Sequence, residues 1–117
     1  MSEGFHPEKS RVNGEALADF IRAQLTGDLN EVPGIGPATV KVLKENGVST
    51  TYGLIGKYMM LKEEDVEPVE HADRFYFWLK SINTPTGFRA GIVHAIAEKV
   101  NSTFVGLYDA DAYQQQL

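Results

Sequence analysis

Cysteine is absent from the 117 residues, which excludes disulfides, thiolate metal ligands and a cysteine nucleophile. A reducing compartment is the simpler expectation. Long apolar runs are missing as well: nothing approaches the roughly 20 residues of a membrane-spanning helix, and Met1 to Asn13 is too polar for a secretory signal. No membrane insertion is expected. Histidine is scarce, and His6, His71 and His94 lie too far apart to place two ligands one helical turn from each other. Neither a metal nor any other cofactor is expected. Basic residues number 11 against 16 acidic ones, for a net charge of −5, which argues against a polyanion grip over the whole surface. Strand alternation is missing too. What is present is a composition with 43% hydrophobic and 10% aromatic residues, enough for one modest core in one domain.

Residues 1–12 mix Gly4, Pro7 and charges without a period and read as a flexible N-terminal arm. From there the apolar residues recur at helical steps through residues 13–101. Asn13 suits an N-cap before Leu17, Phe20, Ile21 and Leu25, a run that Gly27 stops. Asp28 can cap a short turn through Leu29 and Val32. Pro37 stands where a first helical residue would, Gly47 suits the C-terminal cap of that helix, and Ser49 or Thr50 opens the next through Leu54, Ile55, Tyr58 and Met59. An acidic interval follows, with Glu63, Glu64, Asp65, Glu67, Glu70 and Asp73. Phe75, Trp78, Leu79 and Ile82 define a fourth helix, and Phe88, Ile92, Val93, Ile96 and Val100 a fifth, with His94 on the opposite, solvent side. Residues 102–117 read as a C-terminal tail, polar from about Asp109 to Leu117. The expected fold is all-α, a bundle of about five short helices.

The stretch "EVPGIGPATVKVLKENGVSTTYGLI" concentrates the chemistry. Glycines around Ile35 allow backbone conformations closed to other residues and let a bulky partner approach the main chain, while Ile35 anchors the turn inward. The N–H groups of Gly34, Gly36, Ala38 and Thr39 would crowd at the positive end of the following helix dipole, which suits an anion. Lys41, Lys44, Lys57 and Lys62 face only Glu45 between Pro33 and Lys62, so this segment is positive within a negative chain. The complete pattern resembles the helix-hairpin-helix motif, whose usual partner is the phosphate backbone of double-stranded DNA. Without that partner, the same residues make a tight turn in a helical protein-interaction module.

A second resemblance covers about Leu17 to Ile82. "GIGPATVKVLKENGVSTTYGLIGKYMMLK" followed by "FYFWLK", with "ADFIRAQLTGDLNEV" before them, is similar to the barrier-to-autointegration factor family. This likeness implies a small helical homodimer of chromatin that bridges separate duplexes and accepts LEM-domain proteins in a groove between protomers. It implies a nuclear location, with the cytoplasm as a further possibility. Lys41 matches the first of the family's paired hairpin lysines, whereas Val42 stands at the second. Lys62-Glu63 replaces a basic pair, the acidic linker is longer, and Arg89 lies within about one position of a family lysine at the start of the last helix. Enzymatic readings are not favoured: glycosylases with such a hairpin need a larger frame for a base pocket, and this chain has no room for one.

Overall fold

The computed structural model describes residues 3–116, and the side chains of residues 3–113. Met1, Ser2 and Leu117, the outermost residues of the expected arm and tail, lie outside the described residues. The fold is all-helical, with five α-helices: α1 (Gly14–Arg22), α2 (Pro37–Glu45), α3 (Thr51–Met60), α4 (Pro68–Ser81) and α5 (Thr86–Asn101). Short 3-10 turns occupy Pro7–Lys9, Leu29–Glu31 and Ala110–Gln116. No helix among the described residues is long and apolar enough to cross a membrane.

The helix ends follow the capping residues. The Asn13 side chain accepts from the N–H groups of Glu15 and Ala16, and the Thr50 hydroxyl accepts from Gly53. Beyond α2, Gly47 takes a φ of +85°, its N–H donates to Lys44, and the Val48 N–H reaches back to Leu43. That is a Schellman ending, with glycine at the left-handed position. α1 stops at Arg22, earlier than the Leu25 periodicity predicts. The ammonium of Lys99, from α5, donates to the carbonyls of Phe20, Ile21 and Ala23 and so satisfies the last turn of α1.

α5 is the central post. Ile92, Val93, Ala95, Ile96 and Ala97 are fully enclosed, and α1, α3 and α4 all pack against it. Small residues permit this close wrapping: a Cβ on Gly91 would stand 2.7 Å from the Val12 side chain. Two expectations for α5 are corrected. Phe88, placed on the core face by period, is exposed, and His94, placed toward solvent, lies against Phe5 with ring centroids 6.3 Å apart.

Both terminal segments depart from the flexible arm and polar tail expected of them. Phe5 is buried, its N–H donates to Asp73 at 2.7 Å, and Glu3 pairs with Lys80. Tyr108 and Tyr113 are buried in the same aromatic cluster, with Tyr113 edge-on to Phe5 at 5.6 Å. Each buried aromatic side chain contributes about 1.5–3 kcal/mol of burial, enough to hold a short polar segment in place. The acidic interval is shorter than it reads in sequence, because α4 begins at Pro68 and Arg74 pairs with both Glu63 and Glu70.

Candidate nucleic-acid interface

The glycine-rich stretch forms a reverse turn between the single 3-10 turn Leu29–Glu31 and α2. Pro33 and Gly34 are its central pair, Gly34 has a φ of +94°, and the Ile35 N–H donates to the Val32 carbonyl at 3.1 Å. Proline followed by a positive-φ glycine is the type II combination. Glycine is needed at position 34 for its positive φ, and a Cβ there would only touch the Phe88 carbonyl and the Ile92 side chain, each at 3.4 Å. Ile35 is buried beneath the turn and anchors it.

Gly36 is different. Its φ is −110°, and nothing lies within 4 Å of a Cβ built on it. This glycine opens toward solvent at the N-cap of α2, and no side chain caps the helix. The N–H of Val40 is the first to enter the helical ladder, donating to the Gly36 carbonyl at 3.0 Å. Among the described residues, the amides of Gly34, Gly36, Ala38 and Thr39 find no acceptor. Pro37 has no N–H to offer. Ala38 is exposed, whereas the Thr39 side chain is buried, so position 39 can contribute only its main chain.

Glu31, a residue whose role was not evident from the chain, holds this turn to α3. Its carboxylate accepts from the N–H groups of Thr26 at 2.9 Å and Gly27 at 3.0 Å, and from the Thr51 hydroxyl at 2.7 Å. Burial pushes this carboxyl up, but the hydrogen bonds from Thr26, Thr51 and Gly27 outweigh it and leave it below its ordinary value. Charge-assisted bonds of this kind are the stronger class.

The distribution of cations singles out the same region. Lys9, Lys62 and Lys99 donate to main-chain carbonyls, Arg22, Arg74 and Lys80 pair with carboxylates, and Lys57 lies over the Trp78 ring. Arg89, expected at the interface, is buried and committed elsewhere. Its guanidinium donates to the Thr84 carbonyl at 2.7 Å and to the Thr84 hydroxyl at 3.2 Å, over the face of Tyr76. The physical reason is the end of α4: Asn83 takes a φ of +66°, and the chain reverses so tightly that the Thr84 carbonyl turns inward and needs a donor.

Arg11, Lys41 and Lys44 are the cations with no hydrogen-bond, carboxylate or aromatic partner among the described residues, and all three are exposed. They flank the turn. Lys41 and Lys44 border a cleft that includes Pro37, and Pro37 also borders the cleft formed by residues 34–39 with Phe88. Gly34 and Phe88 in turn line a further cleft that reaches Arg11. A continuous strip therefore runs from Arg11 across the turn and the first turn of α2 to Lys44, with Glu45 as the acid at its border. Arg11 had no motif to mark it; Val12 packed on Gly91 carries it there. Comparison of the chain with protein-family models, with curated proteins and with solved structures gives no match.

Proposed function

We propose that this protein binds double-stranded DNA through its backbone phosphates, without regard to base sequence. The observation that carries the reading is the coincidence, on one strip, of amides without acceptors and cations without partners, while the remaining cations are engaged within the chain. A phosphate bound there would accept from the amides at the positive end of α2 and meet Lys41 or Arg11 at its other oxygens. Because such contacts read no base edges, affinity should be nearly uniform across sequences. Alanine at Arg11, Lys41 or Lys44 should each weaken binding evenly and make the slope of log affinity against log salt shallower by about 1. Lys80→Ala is the control, since Lys80 is already paired with Glu3. A Lys80→Ala effect equal to the other three would reduce the strip to general surface charge.

The likeness to the barrier-to-autointegration factor family supports extending this reading to a nuclear homodimer that bridges two duplexes and meets LEM-domain proteins. The apolar surface left for a partner is smaller than the sequence suggests, because Tyr58, Phe75 and Tyr76 are consumed by the chain's own core. Met60 on α3 and Phe77 on α4 remain exposed and are the apolar side chains there for a second copy to cover. Light scattering at micromolar concentration should give twice the 13.0 kDa chain mass; a monomer would remove bridging. A second reading, a helical protein-interaction module, is favoured by Phe104 and Val105, which project from the loop after α5. Binding of that kind would respond weakly to salt.

A further inference from the structure

Phosphate contacts leave one feature of the strip unused. Phe88 stands in the first turn of α5, is 54% exposed and lines two clefts. A cleft of about 450 Å³ runs on one side of it, along residues 34–39 and Pro85. A second, of about 260 Å³, lies on the other side between Arg11, Val12, Ala16 and the small residues Gly34, Gly87 and Gly91. The ring's base is fixed in place: the Phe88 carbonyl lies against Gly34, and its N–H donates to the Pro85 carbonyl at 3.3 Å.

We propose that Phe88 stacks against an unstacked base, so that the protein prefers duplex DNA interrupted by a gap over intact duplex. The proposal rests on the phosphate reading above. A phenyl ring gains little from a phosphate, yet this one shares a cleft with Arg11, and the neighbouring cleft on its other side continues through Pro37 to Lys41 and Lys44 on α2. An apolar plate bordered by unpaired cations complements a ligand that is flat and aromatic in one part and anionic in the next, which describes a nucleotide whose base has left the stack. Charge disfavours a basic partner, and the cleft between Phe88, Ala16, Gly87 and Arg11 leaves room beside the ring. Stacking on an aromatic side chain tolerates every base, so the preference would be for the break and not for its sequence.

The test compares intact duplex with the same duplex carrying a single-nucleotide gap, in one salt, for the parent, Phe88→Ala and Phe88→Trp. Because the ring is exposed, its removal leaves the core untouched. The parent should bind the gapped duplex about tenfold more tightly, Phe88→Ala should lose that preference while binding intact duplex as the parent does, and Phe88→Trp should keep it. Equal affinity of the parent for both duplexes would overturn the inference and leave the phosphate reading standing. So would a Phe88→Ala protein that retains the preference. No binding to either duplex would overturn both.

Discussion

Gly36→Glu should collapse the affinity for duplex DNA while leaving the fold intact. The backbone at Gly36 has a φ of −110°, which any residue adopts, and the space around its absent Cβ is empty for 4 Å. The substitution therefore brings neither strain nor a clash. A carboxylate at the N-cap can accept the very amides offered to a phosphate, so it is mildly favourable to the free protein. Toward DNA the same group is doubly harmful, because it occupies the amides and sets a negative charge against a phosphate. At about 4 Å that repulsion alone is about 1 kcal/mol in bulk water and about 4 kcal/mol at the effective dielectric of a protein surface. The dissociation constant should rise by about tenfold or more, with circular dichroism and melting temperature unchanged. A folded Gly36→Glu protein that shifts DNA as well as its parent would show that the turn is only a turn. Gly34 is not equivalent: its φ of +94°, a conformation that residues with a Cβ rarely adopt, makes a substitution there a folding defect first.

Acid should loosen the domain through His71. This ring is fully enclosed, stacked on Tyr58 with centroids 4.1 Å apart, and its Nε2 bonds the Tyr58 carbonyl at 2.7 Å, which ties the end of α3 to α4. Burial pushes its pKa below the ordinary 6.5; the Tyr58 carbonyl opposes this, and the positive charges of Lys62 and Arg74 add to it. His94 is lowered as well, by burial, against the attraction of Glu98. A histidine whose folded pKa is depressed binds fewer protons folded than unfolded. Its neutral, buried form is therefore stable in full above about pH 6.5, and stability is lost as pH falls from there through the lowered folded value. His71→Ala removes the ring from its stack and should cost about 3 kcal/mol at neutral pH, a drop of about 10 °C in melting temperature. The same variant should lose less than its parent between pH 7.5 and 5.5. An identical pH dependence in the two proteins would place the titrating group elsewhere.

The helical class, the cap at Asn13, a start at Ser49 or Thr50, and the two ends of α2 at Pro37 and Gly47 were legible because each depends on residues within one turn of the chain. The terminal segments were not. Phe5 and Tyr113 are single aromatics in polar surroundings and Tyr108 follows the short run Phe104–Leu107, so no helical period announces them; they are buried together, with Phe5 against Asp73 of α4 and His94 of α5. Periodicity also misplaced Phe88 and His94, since it describes a helix with one wet face, whereas α5 is enclosed nearly all round and its exposed end lies beside the turn at Gly34. Among the site residues, the glycines and Lys41 could be found from local pattern. Arg11 and Arg89 exchange roles for reasons that are purely tertiary: one is carried to the turn by Val12 on Gly91, the other is drawn inward by the carbonyl of Thr84. Glu31 had a signal in principle, an acid placed just after Thr26, Gly27 and Asp28, but its third partner, Thr51, comes from the next helix.

Phosphate binding itself is tested most directly by titrating salt against the affinity for two duplexes of unrelated sequence. With about two to four phosphates contacted per chain, log affinity should fall against log salt with a slope of about −2 to −4, and the two lines should coincide. No binding at low salt, or a slope near zero, would contradict the account.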